Sequence, residues 1–479
     1  MTKVPYRPLA PRFHILGPGG IGSLFAYYFH RHHIPFTLFQ RKAPPPTPPS
    51  LTHKTNSNTP TTLKYMNLAA LDTASVEPQV VDGVDWEPLY PIIDKELFRY
   101  DPVYNELSRS PIHRLLVTTK TYQTVEAISK IRHRLRPWTT IVLMQNGMGV
   151  REEICESMGW TDNDAERPNF VQGIISHGAQ KMGDTIVHTG RGHVWLAPIV
   201  DTPPSPPVTP GSTKDNQDPS SSTAEKSLQK KSSPKLDAKT LADIGALLQK
   251  PDDGSLFPTL TEPSKAVRST KYPYTNPSTF VAPFTDAPFS SFYVQPSPEQ
   301  LRHLRTRSLY ETLAAFQLLS ADMDLKILMP EHLLALQLSK LVVNACVNPV
   351  ATLLEATNGT LIDSAEAHQA VKDLIKESLS ILNHSKEFQA LDKPLRDEFL
   401  TLETLTETTE AILRATKPNR CSTLQDYLKG SQQCEIDYMN GYLLKMAERY
   451  GRPAPLNKMV TEKVKDKFAA PRMNPMPVE

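Results

Sequence analysis

Three polar residues recur at steps of four within an otherwise apolar segment: Lys340, Asn344 and Asn348. Steps of four place side chains on one face of an α-helix. An ammonium and two carboxamides that point the same way are costly to bury unless they find polar partners. A substrate with carboxylate, carbonyl and hydroxyl oxygens would supply such partners. A polar network between helices, or a lysine at the surface, accounts for the pattern equally well.

A second element with recognisable chemistry is the glycine turn Gly17-Pro-Gly-Gly-Ile-Gly22. It follows the apolar run Phe13–Leu16 and precedes an apolar segment, 23–30, that is typical of a buried helix. In a dinucleotide-binding turn, glycines allow the tight turn, the approach of the backbone to the pyrophosphate and close helix packing. The N-terminus of the helix then presents N–H groups to the phosphates. The predicted cofactor-binding residues here are Gly17, Gly19, Gly20, Ile21 and Gly22.

The end of the second predicted strand indicates which dinucleotide is bound. Residues 36–39 form an apolar run that is followed by Arg41 and Lys42, about twenty residues beyond the glycines. An NAD enzyme places Asp or Glu there to bind the ribose hydroxyls, whereas cations favour a 2′-phosphate. Arg41 therefore favours NADPH over NADH. The alternative is a pair of solvated cations at the surface.

Further apolar runs at 114–120 and 140–144 predict parallel strands of the same sheet. The alternating segments 185–188 and 193–196, separated by Thr-Gly-Arg-Gly, predict a β-hairpin at the sheet edge. Helical patterns dominate after Ser297, which precedes Pro298 and stands three residues before Gln300, the spacing of a capping box.

These elements predict an α/β fold class with two domains. An N-terminal Rossmann-type, NADP-binding domain covers residues 12–200, with a long loop at about 44–110. An all-helical C-terminal domain for substrate binding and dimerisation covers 296–470. Between them, residues 201–295 are rich in Pro, Ser, Thr and Lys, which predicts a proline-rich, disordered, low-complexity insert.

Composition restricts the partners. With 53 basic and 51 acidic residues the net charge is +2, which gives no general attraction to nucleic acid or to an anionic membrane. The 4 cysteines include no CxxC pair and fit neither a disulfide framework nor a zinc site, so no metal is expected. No stretch approaches the roughly 18 consecutive apolar residues of a membrane span. The expected location is cytoplasmic, with a mitochondrial one as the alternative.

Six segments, in order, resemble the ketopantoate reductase family. The resemblance covers residues 12–470 except the insert and the lengthened 44–110 region. The segments are the glycine turn, Val117-Thr-Thr-Lys120-Thr-Tyr-Gln123, Gln145-Asn146-Gly147-Met-Gly149, His188-Thr-Gly-Arg-Gly192, Lys340-Leu-Val-Val-Asn344-Ala-Cys-Val-Asn348-Pro349 with Asn358-Gly359, and the pair Ser422-Thr-Leu-Gln-Asp426 and Glu435-Ile-Asp-Tyr-Met-Asn-Gly441.

The resemblance implies an NADPH-dependent reduction of 2-dehydropantoate (ketopantoate) to pantoate, a step of pantothenate and coenzyme A biosynthesis. It makes Lys340 the general acid, which agrees with the need of a developing alkoxide for a proton. It implies that Asn344 and Asn348 hold the distal hydroxyl of the substrate and Ser422 its carboxylate. Glu435 would orient substrate and lysine.

The same resemblance assigns the remaining cofactor contacts. Asn146 would lie between cofactor and substrate, Lys120 and Gln123 along the cofactor, and Arg41 at the 2′-phosphate. The segment before Glu435 is about one residue longer than the family usually shows, so the turn that aims this carboxylate is expected to differ. An acidic residue at the start of an amphipathic helix, favoured by the helix dipole, is the alternative interpretation of Glu435.

Two other functions compete with this one. A catalytically altered member would bind the cofactor and act through partners, using the Ser/Thr/Pro/Lys-rich insert as an interaction segment. A related enzyme would reduce another 2-oxo acid. The enzyme hypothesis is favoured because no catalytic position is lost. The expected partners are a small 2-oxo acid and, through the helical domain, a second copy of the chain.

Overall fold

The computed structural model describes residues 12–40, 63–67, 79–81, 85–88, 110–161, 166–182, 185–199 and 297–471. The predicted insert at 201–295, Arg41 and much of the predicted loop at 44–110 lie outside these residues.

An eight-stranded, mostly parallel sheet forms the N-terminal domain. Its strands are β1 (Phe13–Leu16), β2 (Phe36–Gln40), β5 (Asp85–Pro88), β6 (Arg114–Val117), β7 (Thr140–Leu143), β8 (Asn169–Ile175), β11 (Val194–Pro198) and β12 (Leu325–Ile327). They are ordered β12-β11-β8-β7-β6-β1-β2-β5, and of the pairs only β11 with β8 is antiparallel among the described residues. The strands β1, β6 and β7 are buried along their whole length, as expected of parallel strands covered on both faces. The predicted parallel strands and the Rossmann-type fold class are confirmed.

Within the described ranges, three helices follow strands of this sheet: α1 (Gly20–Arg31), α2 (Thr121–Ile131) and α3 (Val150–Met158). A short 3-10 helix, Arg132–Arg134, extends α2. The arrangement β1, glycine turn, α1 and parallel β2 is the predicted βαβ unit.

The first helix after the insert belongs to the N-terminal domain. This helix, α4 (Pro298–Gln317), begins with the predicted capping box at Ser297. Its Phe316 packs edge-on against Phe13 of β1, with ring centroids 5.4 Å apart, and joins the core of the sheet. The short helix α5 (Ser320–Met323) and strand β12 follow it. The predicted domain boundary at 296 is therefore wrong, because periodicity identifies a helix without showing which core it packs against.

A second sheet corrects two further predictions. It has the order β4-β3-β10-β9 and contains β3 (Leu63–Asn67), β4 (Gln79–Val81), β9 (Gly178–Met182) and β10 (Thr185–Gly190). Three strands, β3, β4 and β5, thus lie in the region predicted as a long loop. These strands are only 3–5 residues long and stand between polar and turn-forming residues. A clear alternation of apolar and polar residues, which would predict a strand, is therefore missing from the sequence.

The predicted hairpin of 185–188 with 193–196 is also wrong. Strand β10 pairs with β9 and β3, whereas β11 pairs with β8 and β12 of the other sheet. The glycine-containing segment between β10 and β11 carries the chain from one sheet to the other. Gly192 is required there, because an added Cβ would lie 2.5 Å from the backbone carbon of Ser176. Alternation predicts strands but does not identify their partners.

The remaining chain forms the helical domain around one long helix. Its helices are α6 (Pro330–Leu354), α7 (Asn358–Asp363), α8 (Ala365–Leu382), α9 (Lys386–Gln389), α10 (Lys393–Phe399), α11 (Leu402–Ala415), α12 (Ser422–Leu428), α13 (Asn440–Arg449) and α14 (Pro455–Ala469). A 3-10 helix, Glu435–Tyr438, precedes α13. By length and composition α6 is apolar enough to cross a membrane, but most of that apolar stretch is buried inside the protein. It is the central core helix of this domain.

A proline inside α6 leaves a backbone carbonyl without its helical hydrogen bond, and a side chain of α13 donates to it instead. Pro349 has no N–H, so the carbonyl of Ala345, four residues earlier, lacks its helical donor. Asn440, which is fully buried, donates from Nδ2 to that carbonyl oxygen at 2.8 Å. The same nitrogen lies 2.9 Å from Oδ1 of Asn457. Asn440 therefore stabilises the proline-containing segment of α6.

Asn440→Ala is expected to lower the free energy of unfolding by about 1–3 kcal/mol, the usual cost of leaving a buried polar group unsatisfied. Urea unfolding measures this change. The control is the same substitution in a Pro349→Ala background, where the alanine N–H can donate to the Ala345 carbonyl and the cost of losing Asn440 should shrink. An equal cost in both backgrounds would show that Asn440 acts elsewhere.

Candidate active site

A cavity of about 880 Å³ opens where the two domains meet. It lies at the glycine turn and at the carboxyl ends of β6, β7 and β8, the usual ligand position in a parallel α/β sheet. On the opposite side it is bounded by α12 and by Glu435. Nine predicted site residues line it: Gly17, Gly19, Gly20, Ile21, Lys120, Gln123, Asn146, Ser422 and Glu435.

The glycine turn has the geometry that a dinucleotide requires. Gly17 has a φ of +100°, and an added Cβ would lie 2.5 Å from the backbone nitrogen of Thr119. Gly19 has no atom within 4 Å of the position of a Cβ, so its backbone faces open space. Gly22 does not line the cavity. An added Cβ there would lie 2.3 Å from the carbonyl oxygen of Gly17, so Gly22 allows α1 to pack against the turn.

Glu435 belongs to the helical domain, but its carboxylate is held at the start of helix α2 in the N-terminal domain. Only 5% of its surface is exposed. Its Oε1 accepts from the backbone N–H of Thr121 at 3.0 Å and lies 2.9 Å from the Thr121 hydroxyl. Thr121 is the first residue of α2, where the helix dipole favours a negative charge. A helix dipole thus favours the charge of Glu435, as the alternative interpretation expected. The helix that supplies the dipole is α2, not the short helix that Glu435 itself begins.

Lys120 joins two carboxylates across the domain boundary. Its Nζ lies 2.6 Å from Oδ2 of Asp426 and 3.7 Å from Oε2 of Glu435. Burial lowers the pKa of Lys120, but the negative charges of Glu435 and Asp426 outweigh this effect and raise it. Burial raises the pKa of Asp426 although Lys120 opposes the shift. Lys120 therefore remains a cation near neutral pH.

Lys340 reaches from α6 to the end of β8. Its Nζ donates to the carbonyl oxygen of Ile175 at 2.8 Å. Lys340 does not itself line the cavity, but Ile175 does. Burial lowers the pKa of Lys340 to about 8, while the charge of Glu435 acts in the opposite direction. A lysine with this pKa is protonated at neutral pH and can still release its proton, which suits a general acid.

The two asparagines of the same helix face do not line the cavity. Asn348 is 5% exposed, and its Nδ2 contacts Sδ of Met439 at 3.6 Å. Two steps of four along a helix place it about 12 Å from Lys340 along the axis. Asn348 thus fits the interhelix alternative, while Asn344 between them is partly buried. Their contact with a substrate stays a prediction.

Two residues of the site had no predicted role. Thr121 anchors Glu435, and Asp426 pairs with Lys120. Each lies beside or inside a quoted motif, but its contact joins residues more than 300 positions apart in the chain. Local spacing carries no signal for such pairs.

Two family sequence models match the chain. The model described as "Ketopantoate reductase PanE/ApbA" matches residues 91–201, and "Ketopantoate reductase PanE/ApbA C terminal" matches residues 332–468. The first match contains Lys120 and Asn146, and the second contains Lys340 and Glu435. The chain belongs to the ketopantoate reductase family. The predicted family is therefore confirmed, and the two matches together span just over half of the chain.

Two relatives of this ketopantoate reductase family member extend over most of its length. The 2-dehydropantoate 2-reductase of Saccharomyces cerevisiae is 27% identical over 71% of this chain and 69% of its own. The probable 2-dehydropantoate 2-reductase of Schizosaccharomyces pombe is 24% identical over 74% of this chain and 73% of its own. A solved ternary structure of D-mandelate dehydrogenase with NADH and anilino(oxo)acetate has a TM-score of 0.53 and 14% identity, covering 95% of this chain and 98% of that one. It shows a shared fold.

The lengthened segment before Glu435, the main departure from the ketopantoate reductase pattern, leads into a 3-10 helix that contacts the N-terminal domain. The 3-10 helix that Glu435 begins is bound to the loop after β7, because the N–H of Met148 donates to the carbonyl oxygen of Tyr438 at 2.9 Å. The Tyr438 hydroxyl donates to Glu153 of α3 at 2.7 Å. Contacts with the N-terminal domain therefore aim Glu435.

Proposed function

We propose that this protein is a 2-dehydropantoate 2-reductase, which reduces the ketone of 2-dehydropantoate to the hydroxyl of pantoate with NADPH. One observation carries the proposal: Glu435 is held in the cavity by Thr121, beside Lys120, and is close enough to Lys340 to affect its pKa. A dinucleotide turn and a carboxylate thus line one cavity, and the ionisable Lys340 contacts its wall at Ile175. Family membership and the names of both yeast relatives support the substrate.

The glycine turn fits the cofactor, since Gly19 leaves space for the pyrophosphate and the first turn of α1 offers backbone N–H groups. The residues that would hold it are those of the turn together with Gln123 and Asn146. When bound, NADPH supplies the hydride that reaches the ketone carbon. The preference for NADPH over NADH rests on the sequence, because Arg41 follows β2.

The side chains of the protein provide the proton for the reaction and keep its donor in the charged form. Lys340 holds the proton that neutralises the developing alkoxide. Glu435 counteracts the effect of burial on Lys340, so that the ammonium form persists at neutral pH. Lys120 lies between the carboxylates of Glu435 and Asp426. Its positive charge offsets their mutual repulsion and the unfavourable free energy of burying both of them near the cavity. Ser422, exposed at the start of α12, is positioned to bind a substrate carboxylate.

A panel of 2-oxo acids tests the proposal. Oxidation of NADPH by the purified protein should be fastest, in kcat/KM, with 2-dehydropantoate, compared with pyruvate, 2-oxoisovalerate and benzoylformate. NADH measured alongside should give a lower kcat/KM. A higher kcat/KM for another 2-oxo acid would reassign the substrate, and no turnover with any of them would contradict a reductase.

Deletion of residues 205–290 separates the enzyme from the interaction protein. A reductase should retain its turnover without this segment, because the described residues of the cavity all lie outside it. Turnover that is absent from the full chain, together with a binding partner lost on deletion, would favour the interaction protein.

A further inference from the structure

Lys181 of β9 brings a positive charge to the glycine turn. Its Nζ donates to the carbonyl oxygen of Pro18 at 3.3 Å, and both residues line the cavity. The hydroxyl of Ser23 donates to the same oxygen at 3.2 Å. The ammonium therefore contacts the glycine turn two residues before α1 begins.

The backbone of Lys181 is held in place by neighbours on two sides. Strand β9 packs directly on the turn, since an added Cβ at Gly20 would lie 2.2 Å from the carbonyl oxygen of Ala179. On its other side, β9 pairs with β10, where Lys181 is opposite the fully buried Ile186. These contacts position the backbone from which the Lys181 side chain reaches the glycine turn.

The basic side chains that line the cavity contact different groups. Among its described lining residues the lysines are Lys120, Lys181 and Lys429. Lys120 is engaged by Asp426 and Glu435. His177 adds no charge at neutral pH, because burial lowers its pKa. Lys181 is the lysine that contacts the turn.

We propose that Lys181 binds the pyrophosphate of the dinucleotide cofactor, an inference that rests on the proposed function. A helix N-terminus carries only about half a positive charge, whereas the pyrophosphate carries two negative ones. An ammonium has three donors, so Lys181 can keep its contact with Pro18 and also donate to a phosphate oxygen. The pyrophosphate binds at the glycine turn, whereas a 2′-phosphate binds at the end of β2.

Lys181→Met tests this assignment through cofactor affinity, measured for NADPH and NADH by fluorescence titration. We expect both dissociation constants to rise by the same factor, roughly 10- to 100-fold, as is usual when a hydrogen bond to a charged group is lost. Lys181→Arg should keep most of the affinity. The matched control is Lys326→Met, which removes an exposed lysine of β12 outside the cavity and should change neither constant.

Two results would overturn the proposal: unchanged affinity for both cofactors, or a loss confined to NADPH, which would place Lys181 at the 2′-phosphate. Lys181→Gln provides the same test if the methionine variant does not fold. The proposed function fails separately, if the unsubstituted protein binds NADPH but reduces no 2-oxo acid. The affinity comparison at Lys181 remains decisive in that case.

Discussion

Lys340→Met is expected to lower kcat/KM for 2-dehydropantoate by about 10²- to 10⁴-fold, the usual contribution of a positioned general acid. Methionine keeps most of the volume and removes the proton. The Nζ of Lys340 donates to Ile175 at the edge of the cavity, and no substitution with an apolar side chain can replace that ammonium. Steady-state NADPH oxidation measures the loss.

The pH dependence of the unsubstituted enzyme provides a second readout. The reaction needs the protonated form of Lys340, whose pKa is lowered to about 8. The value of kcat/KM should therefore fall as the pH rises through about 8, with a limiting slope of about tenfold per pH unit. Lys340→Met should lose this alkaline limb together with most of the activity.

Cofactor binding separates a catalytic loss from a structural one. Lys340→Met should bind NADPH as the unsubstituted protein does, because the glycine turn lies in the other domain. Lys326→Met serves again as the control for the removal of a lysine, with unchanged turnover expected. Activity of Lys340→Met above a tenth of the original value would show that another group or water donates the proton.

The locally encoded elements of this fold could be predicted from the sequence. An apolar run, a glycine turn and a helical period follow each other within residues 13–31, and β1, the turn and α1 have that order. The capping box at Ser297 is likewise a short-range pattern, and it forms as predicted. In such segments each local preference agrees with the tertiary structure, so local reasoning succeeds.

Contacts between distant segments could not be predicted from spacing. The strands β10 and β11 are correctly patterned but enter different sheets, and α4 packs against a core formed almost 300 residues earlier in the chain. The three residues at steps of four on α6 share a helix face. Because the helix rises along its axis between them, Asn348 lies far from Lys340 and contacts Met439 instead. A shared face does not imply a shared ligand.

Gly147→Ala is expected to lower kcat/KM by about 100-fold, since a misplacement of roughly 1 Å in a catalytic constellation has this effect. Gly147 has a φ of +82°, and an added Cβ would lie 2.3 Å from the carbonyl oxygen of Tyr438. This contact is between the loop after β7 and the 3-10 helix that Glu435 begins. The methyl group would push that helix away, and Glu435 would lose its position at Thr121.

Gly159→Ala is the matched control for this prediction, because it separates backbone strain from the clash. Gly159 also has a positive φ, +70°, but no atom lies within 4 Å of the position of its Cβ. Both substitutions should lower the free energy of unfolding by about 1–2 kcal/mol through the left-handed backbone. Only Gly147→Ala should also reduce kcat/KM. Equal activity of the two variants would show that the contact between the loop and the 3-10 helix does not set the position of Glu435.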